Sequence, residues 1–123
     1  MAVTTQRPVL PAALFIVRDT DADNTSENDV KSGAATVFAV QINNALNASA
    51  TSYLKMYNAA APTVGTTAPD MVLFAVGGAT TNYAFPKGIA FGTGLSYACV
   101  TTAGTAGTTA PTSAVTVIMV IGS

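Results

Sequence analysis

The sequence contains no histidine, no tryptophan and one cysteine, and its five basic and six acidic residues make up only 9% of 123 positions. Each shortage removes a class of chemistry. Without histidine the chain lacks the side chain most used for proton transfer near neutral pH and the commonest transition-metal ligand. Cys99 alone can form neither an intrachain disulfide nor a thiolate metal site. The basic residues Arg7, Arg18, Lys31, Lys55 and Lys87 are scattered, which leaves no patch able to hold a phosphate backbone by counterion release. Nucleic acid is therefore not an expected partner. A membrane is not expected either, because the apolar run Val115–Ile121 is less than half of the roughly 20 residues that span a bilayer. The stretch Val9–Val17 is broken by Pro11, follows Pro8 and a lone Arg7, and runs into Arg18 and Asp19, unlike a secretion signal. Without one, the N-glycosylation patterns at Asn24 and Asn47 carry no weight.

What is present is apolar surface. Half of the residues are hydrophobic and the net charge is −1. Soluble monomers interleave charges of both signs over their surface, and a net charge near zero favours self-association. The composition thus predicts a chain largely covered by other chains, against the alternative of a monomer dressed in Thr, Ser, Asn, Gly and Ala. Disorder is excluded by the apolar content, and the length suits one domain with one core.

Short apolar runs separated by Gly, Pro, Asn, Thr and Ser predict strands at Ala12–Arg18, Thr36–Asn43, Thr51–Asn58, Met71–Val76, Thr80–Phe85, Gly88–Phe91, Leu95–Thr101 and Val115–Ile121. The second alternates, with Phe38, Val40 and Ile42 opposite Val37, Ala39 and Gln41, as a half-buried strand does. The last is continuous and rich in β-branched residues, which suits a strand covered on both faces. Leu46, Ala50, Tyr53, Leu54 and Tyr57 also fit helical spacing, but the alternation of Tyr53, Lys55 and Tyr57 with Leu54 and Met56 favours a strand. The predicted fold is all-β: a single-domain antiparallel β-sandwich, jelly-roll or Greek-key like, of seven to eight strands (residues 12–123), preceded by an extended arm (residues 1–11) held open by Pro8 and Pro11. Gly65-Thr66-Thr67-Ala68-Pro69 recurs as Gly107-Thr108-Thr109-Ala110-Pro111, each copy straightening the chain ahead of an apolar strand.

Five of the six acidic residues fall within Asp19–Asp29. Asp19, Asp21 and Asp23 start like a calcium loop, but Asn24 stands where glycine is needed and Val30 where a bidentate Glu is needed. The segment reads as a surface loop of solvated carboxylates. A paired-carboxylate hydrolase is disfavoured because nothing else in the chain would position a sugar or activate water. Gly88–Gly94 lacks the following helix that a phosphate site requires. Cys99 has no basic neighbour in sequence and reads as a packed thiol, and the serines and threonines lack a histidine base. Tyr53, Tyr57, Tyr83 and Tyr97 are the rings that a sugar would stack on, but Tyr53 and Tyr57 share one face of one strand and read as core or interface. No catalytic, cofactor-binding or metal-binding residue is assigned, no cofactor is expected, and the chain is not expected to be an enzyme.

The segments Ile42-Asn43-Asn44, Asn47–Ala50, Tyr53–Asn58, Val64–Pro69, Phe85–Phe91, Gly94-Leu95-Ser96 and Val100–Thr108 resemble small virion structural proteins of tailed bacteriophages, including cyanophages. The shared frame is a Tyr-Leu-Lys strand, a Val-Gly-Thr-x-x-Pro loop, a Pro-x-Gly-Ile-Ala-Phe turn and a terminal β run. It covers about the C-terminal two thirds, with the acidic segment outside it. The resemblance implies a capsid decoration or cement protein bridging neighbouring major-capsid subunits in the virion, commonly as a homotrimer. The alternatives are a subunit of tail, neck or fibre and, from another class, a carbohydrate-binding adhesin domain. For the acidic segment, thermal melts in millimolar calcium and in chelator are expected to superimpose. A rise in melting temperature with calcium that disappears in Asp21→Ala would instead establish an ion site.

Overall fold

Where apolar residues alternate or run on between turn-forming residues, the chain forms seven strands: β1 (Phe15–Ala22), β2 (Ala35–Asn43), β3 (Ser52–Asn58), β4 (Met71–Ala75), β5 (Thr80–Phe91), β6 (Leu95–Val100) and β7 (Val115–Gly122). The computed structural model describes Val3 and residues 14–122, and no helix occurs among them. Two antiparallel sheets face each other, one of four strands in the order β1-β7-β2-β5 and one of three in the order β4-β3-β6. Val37, Val40 and Ile42 of β2 and Val117, Met119 and Ile121 of β7 pack toward Leu54, Met56, Tyr97 and Cys99 of the smaller sheet. The single-domain all-β sandwich expected from the sequence is what forms. The arm at residues 1–11 and the strand start at Ala12 and Ala13 lie outside the described residues, apart from Val3.

Two boundaries differ from the sequence expectation, each for a physical reason. Strand β1 continues past Arg18 to Ala22, because Ala22 is buried and pairs with Val115 beyond a bulge at Asp19–Ala22. Residues 19–22, four of the eleven in the acidic segment expected as a loop, are therefore strand. The two strands expected around Pro86 are one, β5, which stays paired to β2 on both sides of an outward bulge between Ala84 and Ile89. Pro86 has no ladder donor to lose there, and Gly88 takes a positive φ of 77° with Thr36 packed where a Cβ would stand. As the alternation of Tyr53, Lys55 and Tyr57 with Leu54 and Met56 leads one to expect, residues 45–60 contain the strand β3 and no helix.

Asn44 organises the passage from one sheet to the other. Its side chain is fully buried (0% exposed). Nδ2 donates to the carbonyls of Ala50 (2.9 Å) and Ala75 (3.2 Å), while Oδ1 accepts from Asn47 Nδ2 (2.9 Å) and Ser52 Oγ (3.1 Å). Asn47 in turn exchanges two hydrogen bonds with the Ser113 backbone, at 3.0 and 2.8 Å. Backbone bonds from Asn44 N–H to Ala79 O and from Gly78 N–H to Asn44 O bring the β4–β5 turn into the same knot. A side chain at Gly78 would meet the Ala48 carbonyl at 2.5 Å, and its φ is +75°. Glycine is required there by both space and conformation.

The smaller sheet is also covered on the outer face of β3 and β6, while Phe74 of β4 stays exposed on that side. Strand register places Tyr53, Lys55 and Tyr57 beside Val100, Ala98 and Ser96 on that face, and the loops 59–70 and 101–114 close over it. Lys55 is 0% exposed and its ammonium donates to the carbonyls of Gly104 (2.6 Å), Gly107 (2.8 Å) and, more weakly, Thr105 (3.4 Å). Burial lowers its pKa from the ordinary lysine value, and these carbonyls solvate the charge in place of water. The repeated Gly-Thr-Thr-Ala-Pro loops meet here, with Gly65 of the first packed on Thr108 of the second.

Removing a buried partner strands the groups it satisfied, at about 1–3 kcal/mol per orphaned group. Asn44→Ala is therefore expected to lower unfolding free energy by roughly 3–5 kcal/mol in urea titration. Lys55→Met, which keeps the aliphatic stem, is expected to cost about 2 kcal/mol and to raise proteolytic nicking within residues 101–109.

Candidate assembly surface

The acidic residues singled out from the sequence lie at the end of β1 and in the β1–β2 connection, where Asp19, Asp23 and Asp29 serve the backbone. Asp19 Oδ1 accepts from Asp21 N–H (3.0 Å) and its Oδ2 from the Tyr97 hydroxyl (2.9 Å). Asp23 caps Thr25 N–H (2.8 Å), and Asp29, at φ +46°, caps Gly33 N–H (2.8 Å). The connection lies as a strap along the edge of β6, through reciprocal Glu27–Tyr97 backbone bonds, Val30 N–H to Leu95 O and Cys99 N–H to Asp23 O. Ser96 Oγ ties it inward, accepting from Asp29 N–H (2.9 Å) and donating to Ala59 O (2.6 Å). Alternating Asp and Asn with Ser and Thr was the sequence signal for such side-chain capping. Among the described residues no group of three His, Cys, Asp or Glu side chains comes together to hold a metal ion.

Burial and the strap's carboxylates act on the two groups beneath them. The Cys99 thiol is pushed up to about 12, by burial first and then by Asp19 and Asp23. The Tyr97 phenol is raised by burial, then by its bond to Asp19 and the nearby Asp19 and Glu27 charges. Cys99 is a packed thiol in β6, free of any disulfide. Of the four tyrosines, Tyr57 and Tyr97 are fully buried and Tyr83 is half-buried, with its hydroxyl on Phe74 O (2.6 Å). No pair of exposed tyrosine rings is formed.

The larger sheet presents the open apolar surface. Register aligns one side chain from each strand in rows across its outer face. Ile16, Val120, Ala39 and Ala84 form one row, and Arg18, Ile118, Gln41 and Asn82 the next. Ile16 is 65% exposed, and the small Ala39 and Ala84 leave a depression of about 390 Å³ beside Ile118 and Val120. Arg18 is the one charged side chain in the two rows. Sequence reasoning predicted both faces of β7 covered. In the structure Val115, Val117, Met119 and Ile121 are buried, whereas Thr116, Ile118 and Val120 are only half-buried. Nothing among the described residues covers them, and that unmet expectation marks the face as a candidate for contact with another chain.

No protein-family model matches the chain, and no curated protein matches it.

Groups whose pKa is raised on folding stabilise the fold below their unfolded pKa, and that contribution is lost as pH rises toward the folded value. For Cys99 the window runs from 9.0 to about 12. The urea midpoint is expected to be flat below pH 9 and to fall above it, less steeply in Cys99→Ala. Iodoacetamide at pH 8 is expected to leave Cys99 unmodified until urea unfolds the protein.

Proposed function

We propose that the protein is a non-enzymatic virion structural protein of a tailed bacteriophage, of the capsid decoration or cement type, which assembles with copies of itself and with the major capsid protein. The single observation that carries the assembly reading is the outer face of the four-stranded sheet: a central strand patterned for burial on both sides, with one side open. Composition supports the same reading, since 9% charge and a net charge of −1 give little barrier to packing against a neutral surface. The virion assignment draws on the resemblance of residues 42–108 to phage structural proteins, and a homotrimer is the state that resemblance implies. A tail, neck or fibre subunit would use the same face.

The non-enzymatic reading rests on how the polar groups are spent. Asp19, Asp23, Asp29 and Asp70 accept hydrogen bonds from backbone N–H groups, and Lys55 is enclosed by carbonyls. A glycan-binding adhesin is disfavoured by the burial of Tyr57 and Tyr97, which leaves no ring platform.

Size-exclusion chromatography with light scattering at micromolar concentration tests the assembly claim. The wild-type chain is expected to elute as an oligomer and Ile118→Lys as a folded monomer. An unpaired lysine at the contact costs several kcal/mol, at least about thirtyfold in affinity. A wild-type monomer peak that persists on concentration, or an Ile118→Lys variant that associates as wild type does, would contradict it.

A further inference from the structure

The relief of the open face on the four-stranded sheet determines what fits it. The row Ile16, Val120, Ala39 and Ala84 takes one side chain from each of β1, β7, β2 and β5. Neighbouring strands stand about 4.8 Å apart, so the row is roughly 14 Å long. Its β1 end is a knob, because Ile16 is 65% exposed. Its β5 end is a hollow, because Ala39 and Ala84 carry one side-chain carbon each beside the depression of about 390 Å³. The next row has the same direction. Arg18 stands at its β1 end and Asn82 at its β5 end, where Asn82 Oδ1 accepts from Gln41 Nε2 (3.1 Å). Lys31 and Lys87 belong to neither row: Lys31 stands over the Phe15 ring, at 5.9 Å from its centre, and Lys87 lies in the β5 bulge.

We propose that this face pairs with the same face of a second copy about a twofold axis parallel to the strands, so that Ile16 of each copy seats in the Ala39–Ala84 hollow of the other; the proposal rests on the reading of this face as an assembly surface. An axis between β7 and β2 exchanges the two ends of each row. Strand β1 of one copy then lies over β5 of the other, and Ile118 lies over Gln41. Arg18 meets the Asn82 carbonyl oxygen, which has a second lone pair to offer. Knob and hollow at opposite ends of one row make the face its own complement, as an interface between identical patches requires.

A twofold axis across the strands has the opposite effect. It sets Ile16 on Ile16 and Ala84 on Ala84, which props the sheets apart at one edge and leaves the hollow without partner atoms. Face-to-face packing with nearly aligned strands and interdigitated side chains is the ordinary way two β-sheets meet. Four strands of about seven residues present a footprint of roughly 450 Å². Two such faces cover about 900 Å², at the small end of specific interfaces. Fit rather than area therefore supplies the affinity, and the unit formed on this face is a pair, not the homotrimer.

An exchange of side-chain size in the full chain tests this. Ile16→Ala removes the knob and Ala84→Ile fills the hollow, both at exposed strand positions; circular dichroism confirms folding and sedimentation equilibrium reads mass and affinity. Each variant alone is expected to associate about tenfold more weakly than wild type, through a void in the first and a clash in the second. An equimolar mixture is expected to recover most of the loss, because the shortened position 16 of one copy then faces the enlarged position 84 of the other. The two substitutions in one chain are expected to recover it as well. Wild-type association by either single variant, a mixture that associates no better than its components, or a wild-type trimer in place of a dimer would overturn the proposal. Ile118→Lys separates the two claims. If it abolishes association while mixing the size variants recovers nothing, the face stands and the twofold pairing falls. If it associates as wild type does, the assembly reading falls and the pairing with it.

Discussion

The carboxamide of Asn44 sits where the chain leaves the larger sheet for the smaller one, and its four hydrogen bonds replace a ladder that the crossing would otherwise break. A chain that changes sheets must bury backbone groups in a non-repetitive stretch, and each unpaired group there is costly. Here one side chain satisfies Ala50 and Ala75 while holding Asn47 and Ser52, and Asn47 extends the reach to Ser113. The β2–β3 crossing, the end of β4 and the approach to β7 are thereby fixed relative to one another. The core of Val, Ile, Leu and Met side chains supplies the larger share of folding free energy by burial. The Asn44 knot decides which segments meet.

From that constraint follows an asymmetry between the two sheets. The three-stranded sheet is enclosed by the core within and, over β3 and β6, by the loops 59–70 and 101–114 without, with Lys55 bonded to the carbonyls of the second loop. Only at its β4 edge, where Phe74 is 53% exposed, does its outer face stay open. The four-stranded sheet has the opposite character: among the described residues no loop covers its outer rows of Ile16, Val120, Ala39 and Ala84 and of Arg18, Ile118, Gln41 and Asn82. Both sheets are patterned for burial in β3, β6 and β7, but only one obtains it within the chain. That difference leaves the larger sheet with the open face on which the assembly proposal rests.

Much of the architecture was legible in the sequence because it depends on period-two patterning, which β2 shows through Val40 and Ile42 and β7 through its continuous run. Residues whose role is set by distant partners were not legible. Asn44 reads as a turn residue until Ala75 and Ser113 are brought beside it, and the only local hint is its place between a strand end and a second asparagine. Lys55 reads as a strand position with its charge in water. Its alternation with Tyr53 and Tyr57 placed it on one face with two aromatics, but only the folding of loop 101–114 shows that the face is closed. Asp19 and Asp21 read as loop residues because five of the six acidic residues crowd into Asp19–Asp29. Pairing of Ala22 with Val115 overrides that local preference. The order β1-β7-β2-β5, which seats the last strand between the first two, has no signature in any single segment.

The central claim is that the outer face of the four-stranded sheet is covered by another chain, and side-chain oxidation by hydroxyl radicals as a function of protein concentration tests it directly. Ile16, Ile118 and Val120 are predicted to lose reactivity as the protein associates. Phe74 and Val76, exposed at the edge of the smaller sheet, are predicted to keep theirs. Unchanged reactivity at Ile16 and Ile118 across the association range, or protection confined to Phe74 and Val76, would contradict the account.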